Sequence, residues 1–183
     1  MNKYFLLISV VYLISCQQKY TPKPEGFSRI DLPIKEKIVS KTNNPFVFEQ
    51  PIYSEIKVLG EDESWFNLEF DSFNGILHMS YKALNKDLND YTEDSRELAY
   101  KHAQVAEAIS EQRFVNDSLR VFGNVYSFQG KTATPLQFYL TDSLNHFVRG
   151  ALYFNTPIND SIKPISIFIK DDIYDLIESW RWK

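Results

Sequence analysis

The sequence predicts an α+β domain: a mostly antiparallel sheet, built from a hairpin plus a three-strand meander, covered by two amphipathic helices. Three observations carry this. Aromatic residues make up 15% of the 183 residues and hydrophobic residues 44%, which suits a pleated surface and argues against global disorder. Residues 65–83, WFNLEFDSFNGILHMSYKA, alternate apolar and polar side chains around an Asn-Gly pair. Two longer stretches, one mid-chain and one C-terminal, repeat apolar residues at helical spacing.

The N-terminus reads as an export and attachment signal. Lys3 precedes an apolar run over residues 4–14, the length of a signal-peptide core and short for a bilayer span. Leu13-Ile14-Ser15-Cys16 follows and resembles the lipobox of bacterial lipoproteins. In that signal the cysteine thiol takes a diacylglycerol, the chain is cut before the cysteine, and the new amine is acylated, typically with palmitate. The alternative is an ordinary secretory signal with a chance cysteine. Cys16 is the only cysteine, so it makes no intrachain disulfide and no cysteine metal site. Two or three acyl chains anchor a protein stably where one does not. The expected organisation is a signal peptide over 1–15, a lipidated tether over 16–31 and a single domain over 32–183. Pro22, Pro24 and Gly26, among Lys, Glu and Gln, keep the tether extended and solvated. Phe27, Ile30, Leu32 and Pro33 are expected to dock its latter half on the domain edge.

Short strands are expected over 46–48 and 56–58, punctuated by Pro45, Pro51 and Gly60. In the hairpin, a two-residue turn at Asn74-Gly75 pairs Phe70 with Met79, Leu68 with Tyr81 and Phe66 with Ala83 on one face. The same register sets Asp71 against His78, a candidate polar site on the opposite face. A helix is expected over 91–112, opened by Asp90 and Glu93 as a capping box, with Leu98, Val105 and Ile109 in its apolar stripe. Strands over 119–128, 134–141 and 147–154 form the meander, the first apolar on both faces as a central strand is. The C-terminus fits two patterns. Ile165, Ile167 and Ile169 alternate like a strand, yet Ile162, Ile169, Ile173, Leu176 and Trp180 also fit a helical stripe. A helix over 162–181 is preferred, with Pro164 in its first turn.

The residues name no reaction. Gly130-Lys131-Thr132 looks like the end of a phosphate-binding loop, but that motif requires a glycine where Val125 stands. His78, His102 and His146 form no local metal-ligand spacing, and no serine sits in a GxSxG context. No metal or cofactor is expected. The net charge of −4 argues against a nucleic-acid partner. Trp180 and Trp182, near the end, are candidate interface aromatics.

Several stretches together resemble one family. They are LISC, PKPEGFSRIDLP, WFNLEFDSFNGILHMSYK, EDSRELAYKHAQVAEAI, VFGNVYSFQGKTATPLQFYLTDSLNHFVRGALYFN and IKDDIYDLIESWRW. The chain resembles the gliding motility lipoprotein GldD family of the Bacteroidota over essentially its whole length. The resemblance implies a cell-envelope lipoprotein that works in gliding with the type IX secretion apparatus. It supplies no catalytic residue; Cys16, for lipid attachment, is the one role that maps. Two functions are therefore expected, in order: a non-enzymatic assembly or stability factor that binds other gliding or secretion proteins, or a periplasmic small-ligand binder or envelope enzyme acting on lipid or cell-wall material. No acidic run follows Cys16, which favours a periplasm-facing domain and leaves inner versus outer membrane open.

Overall fold

The computed structural model describes residues 29–61, 63–103, 105–156, 158–159 and 161–183. The signal segment, Cys16, Phe27 and the tether before Arg29 lie outside the described residues.

Seven strands form one sheet in the order β4-β5-β6-β10-β9-β8-β7. They are β4 (Glu55–Leu59), β5 (Trp65–Phe70), β6 (Gly75–Ala83), β7 (Ala108–Asn116), β8 (Val121–Gln129), β9 (Leu136–Thr141) and β10 (His146–Phe154). Every neighbouring pair is antiparallel. Two meanders, β4–β6 and β7–β10, are thus zipped together along β6 and β10, with helix α1 (Leu88–Ala103) in the crossover between them. Helix α2 (Lys163–Ser179) follows. The α+β class with a mostly antiparallel sheet stands as read from sequence.

The remaining strands are short: β1 (Lys37–Val39) pairs with β3 (Glu49–Pro51), and β2 (Phe46–Val47) with the C-terminal β11 (Arg181–Trp182).

Alternation decides which face is the core. Phe66, Leu68 and Phe70 of β5, Leu77 and Met79 of β6, Leu136, Phe138 and Leu140 of β9, and Val148 and Leu152 of β10 point to one side and are at most 2% exposed. Ile169, Ile173, Leu176 and Ile177 of α2 close over them, which settles the ambiguous C-terminus as helix. Each such side chain contributes roughly 1.5–3 kcal/mol by leaving water. The other face is covered in part by α1: Tyr91 stacks on Phe147 at 5.5 Å, and Ala99 packs with Tyr126 and Phe128.

Three expectations need correction. The hairpin does not turn on two residues. Asp71–Phe73 form a 3-10 turn, and Asn74 takes the left-handed conformation (φ 50°, ψ 35°) with its N–H on the Asp71 carbonyl. Phe73 drives this: it drops into the core against the rings of Tyr53 and Phe168 instead of continuing the strand. Pairing therefore starts at Phe70↔Gly75 and runs through Leu68↔Leu77 and Phe66↔Met79. The slip is even, so each residue that stays in the ladder keeps its predicted face, while Asp71 and Phe73 leave it.

The mid-chain helix starts earlier, with the Tyr91 N–H on the Asp87 carbonyl, and ends at Ala103. Residues 108–116, whose start was read as its last turns, instead pair with β8 along their whole length. Local helix propensity in AEAISEQ yields to that ladder.

The docked part of the N-terminal segment also lies further on. Leu32 is 43% exposed, Ile30 and Pro33 are half-buried, and the firm contacts begin at Lys35.

Candidate interaction face

Asp71 and His78, read as a facing pair, are apart. Asp71 sits in the exposed 3-10 turn. His78 on β6 faces Asn67 on β5, with Nδ1 2.8 Å from the Asn67 Oδ1, because the longer turn shifts the register.

Trp180 is not at the surface. It is fully buried, stacked on Phe46 at 4.5 Å and on Phe48 at 5.1 Å. Its backbone leaves α2 extended, which lets residues 181–182 pair with β2 and seals that aromatic box. Trp182 is half-buried. Its indole N–H donates to the Arg120 carbonyl at 3.1 Å and its ring lies over His146 at 5.2 Å. His146, on the core side, shares a 3.0 Å hydrogen bond with the Tyr81 hydroxyl.

The α1-side face gathers the other two histidines around Tyr153. Its ring lies 5.5 Å from His78 and 6.2 Å from His102, and its hydroxyl is 3.4 Å from His102 Nε2. Burial, with the Arg149 guanidinium second, holds the His102 imidazole below the usual histidine range. Arg149 itself donates to Gln137 Oε1 at 2.7 Å, and burial lowers it too. No local pattern signals this cluster, since its members come from four elements.

Helix α1 leaves half of this face uncovered. Its Tyr100 bonds Glu111 of β7 and lies edge-on to Tyr126 of β8, so the helix leans over β8–β10. Beyond it, no described element covers the face of β4–β6. Leu59 and Trp65 are directly paired there, 46% and 54% exposed. The Lys82 ammonium stands 5.7 Å over the Trp65 ring, and Ser80, His78 and the Lys57–Glu69 ion pair (2.6 Å) complete the surface. Lys82 also lines an open cleft of about 590 Å³ with Asn43, Glu61, Glu63 and Tyr81, so face and cleft are continuous. A second cleft, about 550 Å³, lies at the start of α2. Neither lining includes a histidine. Among the described residues, no group of three His, Cys, Asp or Glu side chains is placed to hold a metal ion.

A clasp fixes where the tether meets the domain. Lys35 pairs with the buried Asp172 at 3.1 Å and lies 4.6 Å over the Phe168 ring; Lys37 pairs with Asp175 at 2.8 Å. The signal was present in sequence, as lysines two apart facing three aspartates on one helix, but only the fold brings them together. The Asp175 carboxylate holds Lys37 above the usual lysine range despite slight burial.

The chain has, in sum, a clasped N-terminal segment, a sheet face with an exposed tryptophan that no described element covers, and no metal-ligand group among the described residues. The family model for the gliding motility lipoprotein GldD matches residues 17–182. The chain belongs to that family. No curated protein matches it. Membership of the GldD family makes this a lipoprotein of gliding motility, and a lipoprotein belongs to the cell envelope. The attachment that the family's name implies is a lipid anchor. Among the described residues no helix is long and apolar enough to cross a membrane.

Proposed function

We propose that this GldD-family protein is a non-enzymatic assembly or stability factor for gliding and the associated type IX secretion apparatus. Cys16 is its acylated anchor, and the domain faces the periplasm. It docks on other gliding or secretion proteins through the uncovered face of β4–β6. The observation that carries this reading is Trp65: a large aromatic more than half exposed, on a sheet face that no described element covers. Exposed tryptophan is rare and is enriched where partners bind. Leu59 beside it adds apolar contact and Lys82 a charge at the rim.

Envelope cross-linking followed by pull-down in mild detergent tests the reading. Recovery of gliding or secretion components from wild type, lost in Trp65→Glu at equal protein level, supports it. Equal recovery from both, or from neither, counts against it. The anchor is tested separately: Cys16→Ser loses acyl labelling, and labelling that persists removes Cys16 from the account.

A further inference from the structure

Arg149 is a half-buried cation that meets no carboxylate. It stands in the middle of β10, where the cover of α1 ends, and its Nη2 donates to Gln137 Oε1 at 2.7 Å. Among the described residues it forms no ion pair. A guanidinium carries more N–H donors than this one bond uses. The Nε2 of Gln137, a further donor, is buried with no acceptor, and Gln137 is only 2% exposed. Donors and positive charge thus gather at a place that lacks acceptors, and a cation drawn out of water is stable where an opposite charge meets it.

The nearby acids are spent elsewhere. On α1, Glu93 pairs with Arg96 at 2.8 Å and Glu97 with Lys101 at 3.9 Å, both along the helix, and Asp94 is exposed. On the uncovered face, Glu55 opposes Glu69, and Glu69 holds Lys57 at 2.6 Å, well along β5 from Trp65.

Register sets Arg149 beside Trp65. Trp65 opposes Ser80, and Ser80 opposes Arg149, so the three form one row across β5, β6 and β10 with their side chains on the same face. Two strand spacings put the backbones of Trp65 and Arg149 about 10 Å apart. The residue between them has a short side chain.

We propose that Arg149 receives a carboxylate, the side chain of an Asp or Glu, from the partner segment that packs an apolar side chain on Trp65 and Leu59. The two contacts read an acid and an apolar group about 10 Å apart, and the guanidinium rejects a partner that brings a cation there. The proposal rests on docking at Trp65 and adds the chemistry that the docked protein carries.

Arg149→Lys places an amine at position 149, and a water-soluble carbodiimide joins that amine only to a carboxylate in contact with it. The reagent is applied to envelopes of gliding cells that carry the variant, and linked peptides are read by mass spectrometry. The expected product is an amide between position 149 and an Asp or Glu of a gliding or type IX secretion protein, lost when Trp65→Glu is added. Separately, pull-down from Arg149→Gln at equal protein level is expected to recover about tenfold less of that protein than wild type. Added salt is expected to weaken recovery by wild type more than by Arg149→Gln. Position 149 linked to no partner carboxylate or only to carboxylates of this chain, or recovery by Arg149→Gln equal to wild type, overturns the proposal. If Trp65→Glu still loses the partner, docking stands without the carboxylate; if it does not, both fall.

Discussion

Lys35 Nζ lies 3.1 Å from Oδ1 of Asp172, whose side chain is 2% exposed and whose other oxygen accepts the Tyr53 hydroxyl. One carboxylate thus ties the end of the tether, the β3–β4 turn and helix α2 together. Burial, and then the bond to Asp172, drives the Tyr53 hydroxyl far above its usual range.

Removing Asp172 leaves the Tyr53 hydroxyl without its acceptor and the Lys35 ammonium with the Phe168 carbonyl at 3.4 Å and the exposed Asp171 at 3.8 Å. Asp172→Ala is expected to lower stability by about 3 kcal/mol. Lys35, a third exposed, contributes less: Lys35→Met is expected to cost about 1 kcal/mol. Urea denaturation checks both, and equal losses from the two variants would contradict the asymmetry.

Asp142 organises the β9–β10 turn. Its Oδ1 accepts the backbone N–H groups of Leu144, Asn145 and His146 at 3.0, 2.8 and 2.8 Å. Burial works against the charge, but these bonds win and hold the carboxyl below the usual aspartate range. The folded form therefore binds the proton less readily than the unfolded chain. Its contribution is full above the ordinary aspartate value, about pH 4, and is lost as pH falls through the lower folded value. Asp142→Ala is expected to cost about 2–3 kcal/mol at pH 7. The gap from wild type should narrow in acid, as thermal unfolding across pH would show.

The two C-terminal tryptophans should separate cleanly. Trp180→Ala empties the box between Phe46 and Phe48 and is expected to cost about 3–5 kcal/mol. Trp182→Ala loses one hydrogen bond and half-exposed contact, about 1 kcal/mol. Comparable losses would mean that the box is not what holds the C-terminus.

Gly123 permits the close approach of β8 and β9. A Cβ there would lie 1.9 Å from the Tyr139 carbonyl oxygen, which is backbone and has no room to yield. Gly123→Ala is expected to destabilise by more than about 3 kcal/mol, read as loss of soluble protein or a large fall in melting temperature. A melting temperature unchanged from wild type would contradict the strand spacing.

Local patterns carried much of this fold and little of its surface. The alternation in WFNLEFDSFNGILHMSYK assigned the side chains of the two paired strands to their correct faces, because a slip of even length preserves the pleat, but it set Phe73 on the polar face. It misplaced the turn because Phe73 gains more from the core, against residues distant in sequence, than from the ladder. The stretch after Ala103 read as helix for a similar reason: its period is ambiguous, and the partner that decides it, β8, comes later. Trp180 looked like a terminal, exposed aromatic because its box is closed by Phe46 and Phe48 near the start of the domain. The uncovered face was half legible. The hairpin's polar side was read as a candidate site face, but Leu59 beside Trp65 depends on the β4–β5 pairing. The cleft at the start of α2 draws on Lys131, Lys163 and Lys170, which no window of sequence joins.

The central claim is that the face around Trp65 meets a partner in the envelope. A photoreactive amino acid at position 65, in gliding cells, tests it most directly. Position 144, equally apolar and 60% exposed in the β9–β10 turn, is the control. The account predicts a discrete cross-link from position 65 to a gliding or type IX secretion protein, and none from 144. No adduct at 65, or the same adducts from both positions, would contradict it.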